Sequence, residues 1–222
     1  KISDSVRENA LSVYTLIAEA ESKAHGVPVT DIHFHEVGTM DAIADVTAVC
    51  YLLDKLKVDK VIVSPIHVGS GTVKCAHGIL PVPAPATAFI LKEVPIYGGG
   101  IKSELCTPTG AALLKHFATS FGDMPVMKIS SIGYGMGKKD FERANCVRAM
   151  LGSTEDESDT VVRLSCNLDD RRISSKSLGS CAGVILTAPV PKDLSTYSSA
   201  IIGISLPESG IITFLPIISL YL

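Results

Sequence analysis

Apolar and polar residues follow two different periods along most of the chain. Helices are predicted in four segments, 2–25, 40–56, 84–92 and 107–117. Runs of apolar and β-branched residues predict strands at four further places, 58–64, 126–134, 146–151 and 160–167. Helices and strands therefore alternate, which is typical of an α/β or α+β layered domain with a mixed sheet and flanking helices.

Changes in this pattern predict the domain organisation. Residues 1–152 carry the regular elements and form one domain, the acidic and polar residues 153–159 form a loop, and residues 160–170 begin a second domain. Residues 171–222 carry only six charged side chains, and no helical or strand period persists in them. We therefore expect this last segment to be an aberrant tail without a hydrophobic core of its own.

Both ends of the chain are unusual. The chain begins with Lys1 inside a helical pattern and no signal segment precedes it, so we expect that an N-terminal part of the protein is missing. The apolar last 24 residues, which start at Ser199, are long enough for a membrane span. The middle of that segment holds Pro207, Glu208, Gly210 and Pro216, so we expect no span and no membrane partner.

The composition argues against nucleic-acid binding. The net charge is -3, so no broad basic surface is expected to contact a phosphate backbone. Trp is absent and only 5% of the residues are aromatic, which leaves few side chains for base stacking. The 6 cysteines, none of them in a CxxC pair, fit neither a zinc ribbon nor a disulfide scaffold. They are expected to be buried, reduced thiols in a reducing compartment.

One short segment, HFHEVG, carries the densest set of metal ligands. His33 and His35 project to one face if the backbone is extended, and Glu36 follows them. Asp41 and Asp45 are one helical turn apart on the next helix. Imidazoles combined with carboxylates suit Ni, Zn, Mn or Fe better than Ca or Mg. The alternative is a helix-initiating loop, in which the first aspartate favours the helix dipole and the histidines bond to the backbone.

A glycine-rich segment further along the chain is a candidate phosphate site. Gly69 and Gly71, with Lys74, lie between His67 and His77, which are further candidate metal ligands. The exposed backbone N–H groups of such a turn can cradle a phosphate, with the lysine as counter-charge. The alternative is a tight turn between two strands.

Two more segments carry candidate phosphate ligands. The segment GYGMGKK contains Gly135 and Gly137 and has the same two interpretations. Thr107, Thr109 and Gly110 open a helix that has a proline at its first position, and this arrangement is either an anion site or simply a well-capped helix start. No nucleophile set, Walker loop or Rossmann fingerprint can be assembled, so catalytic residues stay unassigned.

Five blocks, taken in order, resemble the LarC-type nickel insertion proteins. The blocks are HFHEVGTMDAIADV (33–46), HGILPVPAPAT (77–87), ELCTPTGAALL (104–114), IGYGMGKKD (132–140) and NLDD (167–170). The resemblance covers about residues 1–170 in unbroken order. Five spaced blocks are far more specific than any one of the motifs alone.

The resemblance implies a cytoplasmic enzyme, a nickel chelatase of the lyase class, in nickel-pincer cofactor biosynthesis. Such proteins bind Ni(II) and insert it into pyridinium-3,5-bisthiocarboxylic acid mononucleotide, and the complete protein consumes CTP with Mg or Mn. The product activates enzymes such as lactate racemase. The family's first half is associated with the metal and its C-terminal half with CTP. The resemblance identifies neither the metal ligands nor the oligomeric state, so a homo-oligomer is left open.

The chain departs from the family pattern at both ends. The family's N-terminal strand, with its Gly-rich and Asp-bearing opening, is absent. Arg171 and Arg172 follow the NLDD block, where the family has Met and a helix containing Gly-Glu. We hypothesise that residues 171–222 are an out-of-frame translation that replaces the CTP-binding half. The coding DNA tests this idea, because another reading frame should continue the family sequence.

Three functions therefore remain open. The first is nickel insertion, with the metal held by the residues of the HFHEVG segment and the two aspartates, and with the two later histidines as additional ligands. The second is a non-catalytic nickel-binding fragment that needs a separate CTP-binding half. The third is a Zn- or Mn-dependent phosphoesterase that uses the same histidines and carboxylates.

Overall fold

The computed structural model describes residues 2–32, 34, 38–154 and 160–165, together with 204–205 and 211–212. Within this part the chain is a mixed α/β structure, as the sequence predicts. Nearly all of the predicted tail, 171–222, and two cysteines, Cys166 and Cys181, lie outside the described residues.

The helices lie where the sequence predicts them. They are α1 Asp4–His25, a 3-10 turn at Val29–Asp31, α2 Met40–Leu56, α3 Pro85–Ile90 and α4 Pro108–Phe117. Ser3 caps α1 because its side chain accepts a hydrogen bond from the backbone of Val6. Gly26 ends the same helix in the left-handed conformation, with φ of 68°. The local caps therefore fix both ends of α1 independently of its packing.

The strands form one larger sheet and several pairs. They are β1 Lys60–Val63, β2 Ile66–His67, β3 Thr72–Cys75, β4 Gly78–Pro81, β5 Ile96–Tyr97, β6 Ser120–Phe121, β7 Met127–Met136, β8 Cys146–Thr154, β9 Thr160–Ser165, β10 Ile204–Ser205 and β11 Ile211–Ile212. The larger sheet has the order β6-β1-β9-β8-β7, in which β1 runs parallel to β6 and β9 while β8 is antiparallel to β7 and β9. The sheet is therefore mixed, as predicted.

Two predicted boundaries differ from the structure. Strand β7 does not end at Tyr134, as predicted, but continues to Met136, because Gly135 and Met136 also pair with β8. Strand β9, which the sequence predicts as the start of a second domain, lies between β1 and β8 in the first sheet. Residues 160–165 therefore belong to the same sheet as β1.

One hydrophobic core joins the helices to β1. Its members include Val6, Val13 and Ile17 of α1, Val61 and Val63 of β1, and Ala111 and Ala112 of α4. Burying a valine or isoleucine side chain of this kind contributes about 1.5–3 kcal/mol. Three of the four described cysteines are buried, as predicted, whereas Cys75 is half-buried. No helix in the described part of the chain is both long enough and apolar enough to cross a membrane.

Two strand pairs outside the larger sheet carry the candidate residues of the middle segment. Strands β2 and β5 pair in parallel, with His67 opposite Tyr97. Strands β3 and β4 form a hairpin, in which Lys74 lies opposite Ile79.

Candidate functional site

The HFHEVG segment precedes α2, and Phe34 anchors it against α1. Its ring packs edge-on against Tyr14, with ring centroids 6.1 Å apart and planes at 68°. A Cβ atom at Gly38 would lie only 2.8 Å from Cβ of Phe34, so the segment turns tightly where glycine is required. His33, His35 and Glu36 lie outside the described residues. The described residues of the segment are Phe34, which lies against α1, and Gly38, which lies just before α2.

The two aspartates lie on the first turns of α2. Thr39 caps this helix by accepting a hydrogen bond from Ala42, and Asp41 is exposed in the first turn. Asp45, one turn later, is half-buried, and burial together with the charge of Asp41 raises its pKa to about 6. Burial, together with the negative charge of Asp45, also raises the pKa of Tyr14. This arrangement fits a helix start as well as a carboxylate pair that attracts a cation.

The raised pKa of Asp45 predicts how the stability of the metal-free protein varies with pH. Its ordinary pKa is 3.8 and its folded pKa is about 6, so the folded state binds more protons between these values. The free energy of unfolding should therefore fall as the pH rises through this window. We expect Asp45→Asn to stabilise the metal-free protein by about 1 kcal/mol at pH 7–8, after allowance for solvent screening, and to change little at pH 4.

Urea denaturation at pH 4 and pH 7.5 measures this effect. The exposed Asp123→Asn is the matched control, because it removes a charge without relieving burial. An equal effect of Asp45→Asn at both pH values would contradict the prediction.

His77 lies at the turn of the β3–β4 hairpin, where it meets a histidine that the sequence did not single out. Its ring centroid is 4.7 Å from that of His25, at the end of α1. Nε2 of His25 is 3.4 Å from a carboxylate oxygen of Glu21, one helical turn earlier. The i,i+4 spacing of Glu21 and His25 can be read from the sequence. The approach of His25 to the β3–β4 hairpin cannot. Among the described residues, no three His, Cys, Asp or Glu side chains are arranged to hold a metal ion.

His67 is buried, with an exposure of 3%, and its ring is held from two sides. Nε2 donates to the carbonyl oxygen of Gly98 at 3.0 Å, and the ring stacks on Tyr97 with centroids 4.5 Å apart and planes at 2°. Burial lowers the pKa of His67. The hydrogen bond to Gly98 opposes this effect by raising the pKa, and the positive charge of Arg143 lowers it further. In the neutral tautomer whose Nε2–H donates to Gly98, Nδ1 is a buried acceptor that has no hydrogen-bond partner among the described residues.

The predicted turn at Gly69 and Gly71 is confirmed, and it packs against the segment before α4. Both glycines have positive φ, 83° and 81°. Gly69 pairs with Glu104, and a Cβ atom at Gly69 would overlap the carbonyl oxygen of Ser103. Between the glycines, Ser70 donates to the carbonyl oxygen of Ile101 at 2.8 Å. Lys74 is exposed on the hairpin that follows.

The second glycine segment is a strand rather than a turn, which corrects that prediction. Gly135 pairs with Val147 in the β7–β8 ladder, and the N–H of Gly137 donates to the carbonyl oxygen of Asn145 at 2.7 Å. That N–H group is therefore not available to a phosphate. The loop that follows Gly137 is better placed, because Nζ of Lys139 donates to Oγ of Ser103 at 3.3 Å.

The start of α4 is a capped helix end. The side chain of Thr107 accepts from the N–H of Gly110 at 3.2 Å, and its carbonyl oxygen accepts from Ala111 at 2.9 Å. Both Thr107 and Thr109 are buried. A well-capped start accounts for these contacts, and the N–H of Gly110 is already used.

Comparison with known proteins identifies relatives of one kind. A family model described as nickel insertion protein matches residues 1–188, which extends past Asp170. The chain is 46% identical over 166 residues to the pyridinium-3,5-bisthiocarboxylic acid mononucleotide nickel insertion protein of Staphylococcus saprophyticus, covering 74% of this chain and 42% of that protein. The proteins of the same name from Geobacillus kaustophilus and a Nocardioides species are 42% and 48% identical, covering 77% and 76% of this chain and 44% and 43% of those proteins.

The match is confined to part of those relatives. The chain spans less than half the length of each of these three proteins. No solved structure matches the chain. The family match nevertheless covers most of the sequence, including the segment that precedes α2 and the turn at Gly69. The chain therefore belongs to the nickel insertion protein family.

Proposed function

We propose that this chain is the metal-handling part of a protein that inserts Ni(II) into pyridinium-3,5-bisthiocarboxylic acid mononucleotide, to make the nickel-pincer cofactor. Membership of the nickel insertion family carries this proposal, since curated relatives with 42% to 48% identity are named for that reaction. In this scheme nickel is a substrate that passes through the protein.

We assign nickel binding to His33, His35, Glu36, Asp41 and Asp45. Imidazole and carboxylate are donors that hold Ni(II) well, yet they give way to softer sulfur donors such as those of the substrate. The contact of Phe34 with Tyr14 supports this assignment, because the charge of Asp45 also reaches Tyr14. Phe34 of the motif and the half-buried carboxylate thus lie near the same tyrosine.

The remaining candidate ligands have different surroundings. The ring of His77 approaches that of His25, which lies beside Glu21. In the proposed scheme these residues receive nickel at the surface before it reaches the motif. His67 offers only Nδ1, because Nε2 is bonded to Gly98. Neither histidine belongs to a described group of three metal-binding side chains. We therefore treat both as secondary to the motif.

The complete reaction is proposed to need more than this chain. CTP with Mg or Mn would bind to a C-terminal half, and the chain spans less than half the length of its relatives. The second candidate function follows from this fact: alone, the chain is a non-catalytic nickel-binding unit that works with a separate CTP-binding half. We propose that both parts act in the cytoplasm, as a nickel chelatase of the lyase class.

A reconstitution experiment tests the proposal. The full chain is incubated with Ni(II), the mononucleotide and Mg-CTP, with and without the C-terminal half of the Geobacillus relative. We expect no CTP consumption by the chain alone, and a nickel-containing product by mass spectrometry when the half is added. CTP consumption by the chain alone would contradict the two-part scheme.

Two outcomes would contradict the nickel assignment itself. One is the absence of product together with no Ni(II) bound to the chain. The other is hydrolysis of p-nitrophenyl phosphate with Zn or Mn that His33→Ala abolishes, which would favour the phosphoesterase alternative.

A further inference from the structure

Three segments that are distant in sequence meet around Ser103. The backbone N–H of Leu105 donates to the carbonyl oxygen of Val68 at 3.1 Å, which joins the β2 segment to the segment before α4. Lys139, from the loop between β7 and β8, bonds to Ser103. The two glycine-rich candidates of the sequence therefore meet at one place, through the turn at Gly69 and the loop after Gly137.

This meeting point is held in a fixed geometry. Gly99 has a φ of 58°, and a Cβ atom there would overlap the His67 ring, so the ring lies directly on the backbone. Nδ2 of Asn145 donates to the carbonyl oxygen of Lys139 at 3.1 Å, which fixes the start of the loop. Both contacts hold parts of this meeting point in place before any ligand binds.

The unpaired Nδ1 of His67 indicates what the ligand must supply. A buried acceptor without a donor is costly, and such groups in native proteins call for an explanation. Because Nε2 carries the proton, Nδ1 presents a lone pair. The missing partner is therefore a hydrogen-bond donor, such as a hydroxyl group.

The charges around His67 indicate the rest of the ligand. Lys139 reaches Ser103, and Arg143 is close enough to His67 for its charge to lower the pKa of the imidazole. Both cations are exposed to solvent. The acidic side chains of the same loop, Asp140 and Glu142, are outnumbered by its three basic ones. A molecule with both a hydroxyl group and a negative charge matches this arrangement.

We propose that His67, Ser103, Lys139 and Arg143 form a ribose-phosphate subsite, in which Lys139, Arg143 and Ser103 bind the phosphate and Nδ1 of His67 accepts a hydrogen bond from a ribose hydroxyl. This subsite rests on the proposed function, because the substrate named there is a mononucleotide. The proposed subsite assigns phosphate binding to the loop that follows β7 and not to the backbone N–H groups of β7. It also gives His67 a role other than metal binding.

Calorimetric titration of the full chain with nicotinic acid mononucleotide tests the subsite. This probe has the pyridinium ring, ribose and phosphate but lacks the sulfurs, and nicotinic acid riboside lacks the phosphate as well. We expect the riboside to bind at least about 10-fold more weakly. Lys139→Gln and Arg143→Gln should each weaken mononucleotide binding about 10-fold and leave riboside binding unchanged.

His67 gives a different signature from the two cations. His67→Asn should weaken binding of the mononucleotide and the riboside by similar factors, because both carry the hydroxyl groups. The exposed Lys92→Gln, outside the subsite, is the control for a general loss of positive charge. Thermal melting identifies any variant that has unfolded. If His67→Asn unfolds, the variants of the two exposed cations, Lys139→Gln and Arg143→Gln, still test the subsite.

Several outcomes would overturn the subsite. These are equal binding of mononucleotide and riboside, no binding of either, an equal effect of Lys92→Gln, or a loss that follows Lys74→Gln but not Lys139→Gln. Nickel titration of the same variants separates the two proposals. Unchanged nickel affinity without mononucleotide binding removes only the subsite, whereas mononucleotide binding without nickel binding removes only the nickel assignment.

Discussion

Replacing His33 and His35 together by alanine is expected to weaken Ni(II) binding by at least about 100-fold, since loss even of groups that only orient metal ligands costs 10–100-fold. Two imidazoles are removed, and the carboxylates of Glu36, Asp41 and Asp45 remain as harder oxygen donors that hold nickel less well. His33 and His35 both precede α2, which begins at Met40, so we expect these substitutions to leave the fold intact. Isothermal titration of the full chain with Ni(II) measures the change.

Two further variants make this result specific. His116→Ala is the control, because Nε2 of His116 bonds to Asn9 at 2.8 Å between α4 and α1 and has no part in the proposed site. The double variant His25→Ala/His77→Ala examines the ring pair at the hairpin. A large loss in that variant, with little change on removing His33 and His35, would place the nickel donors at the hairpin instead.

Gly69→Ala is expected to lower the free energy of unfolding by about 3 kcal/mol or more. The residue has a φ of 83°, and the new Cβ atom would overlap the carbonyl oxygen of Ser103, which is backbone and cannot rotate away. The β2 segment would have to separate from the segment before α4. Urea denaturation followed by far-ultraviolet circular dichroism measures the loss, since the chain has no Trp for fluorescence.

Gly71→Ala is the matched control for this prediction. It lies in the same turn with a φ of 81°, but its Cβ atom would meet only Lys102 at 3.6 Å, which is ordinary contact. It should therefore cost only the backbone strain, about 1–2 kcal/mol. Equal losses in the two variants would show that the approach of Ser103 contributes nothing.

The helices of this chain are predictable from local sequence because their signals are local. Ser3 and Thr39 cap the helices that follow them, and Gly26 ends α1 within a few residues of where the apolar period stops. The two-residue strands β5 and β6 carry no such signal, since two residues cannot show a period. Strand β7 was ambiguous because glycines favour turns, and only pairing with β8 keeps Gly133 and Gly135 extended.

The candidate site is less predictable because its contacts join distant segments. The motif segment and the aspartates of α2 are neighbours in sequence, so spacing alone indicates them. Lys139 and Ser103 are 36 residues apart, and His25 meets His77 only because the hairpin folds onto the end of α1. Spacing also cannot show that Nε2 of His67 is occupied while Nδ1 is free, because a backbone carbonyl decides this.

The position of β9 between β1 and β8 has a consequence for the order of events during synthesis. β1 pairs with residues 161–164 of β9, which leave the ribosome about 100 residues after β1. Until β9 is made, β1 and β8 each lack a neighbouring strand on one side. The unpaired edges on that side are open to wrong partners. An interruption of the coding sequence before residue 160 should therefore give an aggregating product, whereas one after residue 165 leaves the sheet with all five strands.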